Sequence, residues 1–129
     1  MPISLTITIP GTPSAALSPN ARVHWAVRNR EFQEIKRTAV YATFDALNCE
    51  RSTQGYDEPF FRIETTIYWE KGRKTMDQDN AGSCCKAIWD GVADALCTND
   101  KRFRVMPVEQ RRSGDRAGYV VVTVTEVGE

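Results

Sequence analysis

Three stretches of two-residue alternation limit what this chain can become. Ile3, Leu5, Ile7 and Ile9 alternate with Ser4, Thr6 and Thr8 ahead of Pro10-Gly11. Phe61, Ile63, Thr65, Ile67 and Trp69 recur at the same period ahead of Glu70-Lys71-Gly72, and Val120, Val122 and Val124 share one face of the β-branched run from Tyr119 to Val127. Each predicts a strand with one apolar face, and a sheet built from such strands must bury that face under something. The intervening segments supply the cover. From about Asn29, a candidate N-cap, Phe32, Ile35, Ala39, Ala42 and Ala46 recur at helical spacing, widened by Val40, Phe44 and Leu47, and the helix should stop near Asn48. A second helix should run from a Ser83 cap to about Leu96 with Ala87, Ile88, Gly91, Val92 and Ala95 as its buried stripe. Phe103, Val105 and Pro107 suggest a short third strand with Lys101, Arg102 and Arg104 on its other side, followed by a turn at 111–118. The order β-α-β-α-β-β predicts an α+β fold: one domain over residues 1–129, with a mixed sheet of about four strands and two main helices packed on it.

Seventeen basic residues against seventeen acidic ones leave no net field, so nucleic-acid binding would have to come from local clusters. No apolar run approaches the roughly 20 residues needed to span a bilayer, and the opening MPISLTITIP alternates instead of forming a signal-peptide core, so no membrane association and a cytoplasmic setting are expected. Cys49, Cys84, Cys85 and Cys97 contain no C-x-x-C pair, and His24 is the only histidine, which argues against a zinc site. All four read as reduced thiols, mostly buried in or beside helices.

The chemistry is concentrated between Arg73 and Asp100, a stretch carrying Asp77, Asp79, Asp90, Asp94, Asp100 and Lys86, with Lys71, Arg73 and Lys74 at its start. On an extended segment Asp77 and Asp79 would face the same way with Cα atoms roughly 6–7 Å apart. That spacing suits a hard cation such as Mg²⁺, which takes one or two protein carboxylates together with substrate phosphates and water. The plainer alternative makes Asp77 and Asp79 turn residues, Asp90 and Asp94 a solvated helix face, and Lys86 with Asp90 a surface ion pair contributing a few tenths of a kcal/mol, about what such pairs contribute elsewhere. Asn20, Arg22 and His24, in the Gly/Pro/Ser/Asn-rich loop at 11–22, have ordinary turn chemistry as their plain reading.

Asp77-x-Asp79-Asn80, a short spacer, Lys86, Asp90-Gly91 and then Asn99-Asp100 resemble the signature of the RusA-type Holliday junction resolvases, small endodeoxyribonucleases common in phages and prophages. The S-x-N element at Ser18–Asn20, the basic first helix and the closing strand pair from Met106-Pro107-Val108 to Thr125-Glu126 fall in the order that family shows. The resemblance implies metal ligation by Asp77, Asp79 and Asp100, a functional Lys86, Mg²⁺ or Mn²⁺ as cofactor, and a homodimer acting on four-way or branched DNA in recombination or repair. It also implies a bacterial or phage-encoded protein working in the cytoplasm. Lys71, Arg73, Lys74, Lys101, Arg102 and Arg104, with Arg111 and Arg112, are the expected phosphate contacts. Asn99, standing where many members have the first of two aspartates, leaves open a second expectation: a dimer that binds branched DNA without cutting it.

Overall fold

The computed structural model describes residues 4–17, 22–47 and 60–127. Strand β1 (Ser4–Pro10) leads through a 3₁₀ turn at Ala15–Leu17 to helix α1 (Trp25–Leu47). Strand β2 (Phe60–Trp69), helix α2 (Gln78–Ala95), a 3₁₀ turn at Asp100–Arg102, the short strands β3 (Phe103–Val105) and β4 (Glu109–Arg112), and β5 (Tyr119–Val127) follow. The sheet has five strands in the order β1-β5-β2-β3, with β4 also pairing with β2. β5 lies antiparallel to both neighbours, with Ile7 opposite Val122 and Ile63 opposite Val124. β3 and β4 run parallel to β2, one after the other along its outer edge. The expected α+β class, mixed sheet and pair of helices are therefore present, with an edge strand divided in two around Pro107 and Val108.

Alternation explains the layering. Leu5, Ile7, Ile9, Phe61, Ile63, Ile67, Trp69, Val120, Val122 and Val124 are all buried on one face, against Ala39 of α1 and Ala81, Cys85, Ile88 and Val92 of α2. Both helices cover that same face. The other face, carrying the even-numbered residues of β1 and β2 and the odd-numbered residues of β5, has no layer over it among the described residues. The buried polar atoms are satisfied within the fold: Thr43 donates to the Ala39 carbonyl at 2.7 Å, and Trp89 Nε1 donates to Thr65 Oγ1 at 2.9 Å.

Two helix expectations need correction. α1 begins at Trp25, because His24 caps it: the ring Nδ1 accepts from the Ala26 N–H at 3.1 Å and the His24 carbonyl takes the N–H groups of Val27 and Arg28. Asn29 is consequently interior. α2 begins at Gln78 with Asp77 as N-cap, accepting from the Asn80 N–H at 3.2 Å, so Ser83 lies inside the helix and Lys86 well beyond its first turn. In both cases a residue upstream of the expected cap accepts a first-turn N–H group, so the helix opens earlier. Cys84 and Cys85 are buried and unbridged while Cys97 is exposed; burial pushes the Cys85 thiol up to about 12, so it packs as an apolar residue. The S-x-N element, the connection at 49–59 and Cys49 lie outside the described residues.

Candidate functional site

The C-terminal half of α2 and the turn after it form the charged centre of the molecule. Lys86, Asp90 and Asp94 follow at intervals of four and therefore share one stripe of α2. After the helix ends at Ala95 with Leu96 as its C-cap, Cys97 takes a positive φ of 56°, and the Thr98 N–H returns to the Ala93 carbonyl at 3.0 Å. This reverses the chain. Asn99 then caps the short turn that follows, its side chain accepting from the Lys101 N–H at 3.0 Å. The reversal lays Asp100 back along the helix, where Oδ2 lies 3.8 Å from Lys86 Nζ. Lys36 reaches in from α1, 3.1 Å from Asp94 Oδ2. Lys36, Asp90, Asp94, Thr98, Asn99 and Asp100 together line an open, mostly polar hollow of about 280 Å³.

Asp90 is the half-buried carboxylate of this group. Burial raises its pKa above the ordinary aspartate value; Lys86 and Lys36 pull it down, Asp100 and Asp94 push it up, and the net direction is upward. Asp100 itself is exposed. The arrangement is a patch in which three carboxylates and two ammonium groups act on one another beside an open cleft.

Asp77 and Asp79 sit elsewhere on the same helix. The expectation that they share a face of an extended segment is corrected: Asp77 is the cap and Asp79 the second helical residue, and residues two apart on a helix point away from each other. Asp79 falls on the stripe of Lys86, about 10 Å nearer the N-terminus at 1.5 Å per residue. Among the described residues, no three His, Cys, Asp or Glu side chains are grouped so as to hold a metal ion. The acidic residues form a line along α2 that ends in the hollow. A hydrated Mg²⁺ needs only one or two carboxylates when substrate phosphates complete its shell, and Asp90, Asp94 and Asp100 are the carboxylates that share this space.

The basic candidates divide by what holds them. Lys71, Lys74 and Lys101 are exposed. Arg73 is built into the fold: it pairs with Glu70 at 3.0 Å and its guanidinium lies 4.9 Å from the Trp69 ring. Arg102 and Arg104 lie over the Phe60 ring at 5.2 and 4.7 Å. Arg111 pairs with Glu109 at 3.3 Å, and Arg112 donates to the Arg73 carbonyl at 2.8 Å.

Two supports escaped the sequence reading. Gln110 holds the backbone of Met76, directly before Asp77, with hydrogen bonds in both directions. Glu70 accepts from Thr12 at 2.8 Å and from Arg73; burial raises its pKa, but these contacts overcome burial and hold it below the usual carboxylate range. A lone Gln and a lone Thr have no periodicity that would betray such contacts. Lys36 could have been found, since it belongs to the basic start of α1.

The fold and site together define a small α+β domain in which one helix carries an acidic, lysine-bearing stripe that meets the following turn. No protein-family model matches the chain. A protein of Xylella fastidiosa (strain Temecula1 / ATCC 700964), described as an uncharacterized protein, is 36% identical over 124 residues, covering 95% of this chain and 76% of that one. The chain belongs to the same family as the Xylella protein.

Proposed function

We propose that the protein is a Mg²⁺-dependent endodeoxyribonuclease of the RusA-like kind, nicking four-way or branched DNA where Lys86 meets Asp100 at the edge of the acidic hollow. The observation that carries this reading is the 3.8 Å meeting of Lys86 and Asp100, which joins two motif segments lying on different elements. The presence of Asp90 in the same hollow, and of exposed Lys101 beside it, adds support.

On this reading Lys86, a mobile ammonium with three donors, binds a non-bridging oxygen of the scissile phosphate and offsets the charge that grows there. A cation bound at the carboxylates supplies Lewis acidity and a water of lowered pKa. Asp100 and Asp90 would hold that cation. Exposed Lys71, Lys74 and Lys101 contribute contacts to the DNA backbone, which confer affinity and orientation without reading sequence. A two-fold homodimer would place one such site against each of two opposing strands of a junction.

A labelled four-way junction incubated with the protein and Mg²⁺ tests the reading. Symmetric nicks that vanish in EDTA and in Asp100→Asn support it. Junction binding by the wild type with no nicking under any divalent cation supports instead the non-cutting branched-DNA-binding dimer, and no binding at all overturns both.

A further inference from the structure

The uncovered face of the sheet has a composition of its own. Its register places Pro10, Tyr119, Tyr68 and Arg111 in one row across the strands, and Ser4, Thr125, Arg62 and Arg104 in another. Tyr68 and Tyr119 stack at 4.7 Å between ring centroids with an interplanar angle of 18°. At the far end Phe60 lies beneath the Arg104 guanidinium at 4.7 Å. Between these ends the strands present Thr6, Thr8, Thr66 and Thr123 with Val121, Glu64 and Glu109.

We infer that this face binds a single strand of nucleic acid, running from the Tyr68–Tyr119 pair to the Phe60–Arg104 pair. Open sheets bearing aromatic rings and guanidinium planes give unpaired bases a surface for stacking, while arginines take the phosphates. The arginines here are available. The Arg62 and Arg111 side chains are 48% and 63% exposed. Their contacts with Glu64 and Glu109, each 3.3 Å within one strand, are surface pairs that a phosphate can displace at little cost. A second copy of this chain is the poorer occupant. Sheets that pack face to face bury interdigitated apolar side chains, and the aliphatic residues of β5 on this face are only Val121 and Val127. The inference does not depend on the metal-site reading, because the hollow lies beside the helices on the opposite side of the sheet.

Fluorescence polarisation with an end-labelled 20-mer of thymidine, in EDTA, provides the test. Tyr119→Ala and, separately, Arg104→Glu should each weaken binding about tenfold or more while thermal melting shows a folded protein. Ultraviolet cross-linking should attach the oligonucleotide to peptides of β2 or β5. Wild-type affinity in both face variants overturns the inference, as does loss of binding in Lys86→Met alone, which would put the strand beside the helices. Sedimentation showing that Tyr119→Ala dissociates a dimer without changing oligonucleotide affinity overturns it too, and assigns the face to a second copy. Since no nicking is measured, the outcome is separate from that of the junction assay.

Discussion

The Gln110 carboxamide clasps the backbone of Met76 at two points, accepting from its N–H at 2.8 Å and donating to its carbonyl at 2.7 Å, while the same Oε1 accepts from Trp69 Nε1 at 2.9 Å. One side chain on the edge strand β4 thus fixes the segment that delivers Asp77 to the start of α2. Gln110→Ala would strand three polar groups of a partly buried region, at a cost of about 2–3 kcal/mol after water replaces what it can. The expected outcome is a melting temperature lowered by several degrees. Gln110→Glu, which at neutral pH keeps the acceptor and loses the donor, should fall between it and the wild type in a thermal melt.

Gly91 and Gly82 make opposite predictions on one helix. A Cβ at 91 would strike the Lys36 carbonyl and lie 2.8 Å from Ala39 Cβ, where α1 crosses α2, whereas one at 82 would meet nothing within 4 Å. Gly82→Ala should stabilise by up to about 1 kcal/mol through helix propensity. Gly91→Ala gains the same propensity but forces the helices apart, and overpacking of that kind costs about 1–3 kcal/mol, so the net sign is destabilising. The displacement would also draw Lys36 away from Asp94. Urea denaturation of the two variants beside the wild type checks the reversal of sign.

These contrasts show where the sequence is informative. Strand faces were legible because a period of two admits one solution once a side is buried: Phe61, Ile63, Thr65, Ile67 and Trp69 all point at the helices as their spacing requires. Helix starts were less so, since Asn29, His24, Ser83 and Asp77 can all accept a first-turn N–H group and their spacing does not choose among them. The split edge strand at Glu109–Arg112 carries too few apolar residues to announce itself. In the site, the order of motif residues was readable, but their distances were not. The reversal at Cys97 that returns Asp100 to Lys86 depends on a left-handed residue with no glycine to signal it.

Two carboxylates should give opposite pH signatures in metal-free buffer. Glu70 has a lowered folded pKa, so its contribution is present above its unfolded value near 4.5 and is lost as pH falls through the folded value. Glu70→Gln should therefore be destabilising at pH 7 and nearly neutral in acid. Asp90 has a raised folded pKa, so its protonated form favours the fold below the unfolded value near 3.8, and that contribution is lost as pH rises through the folded value. Asp90→Asn should melt higher than the wild type at pH 7, with the gap closing toward pH 3. Melting curves in EDTA across that range check both signs.

Lys86 and Asp100 separate stability from chemistry. Their side chains are 62% and 44% exposed and 3.8 Å apart, a surface pair whose removal should change stability by no more than about 1 kcal/mol. If the pair is what a junction phosphate and its cation meet, Asp100→Asn and Lys86→Met should each lower nicking about a hundredfold or more while melting within a degree or two of the wild type. Their binding should differ: Lys86→Met removes a phosphate contact and should reduce the salt dependence of junction affinity, whereas Asp100→Asn removes a negative charge and should bind junction in EDTA at least as well as the wild type. Nicking that survives in both variants would move the chemistry away from the Lys86–Asp100 pair.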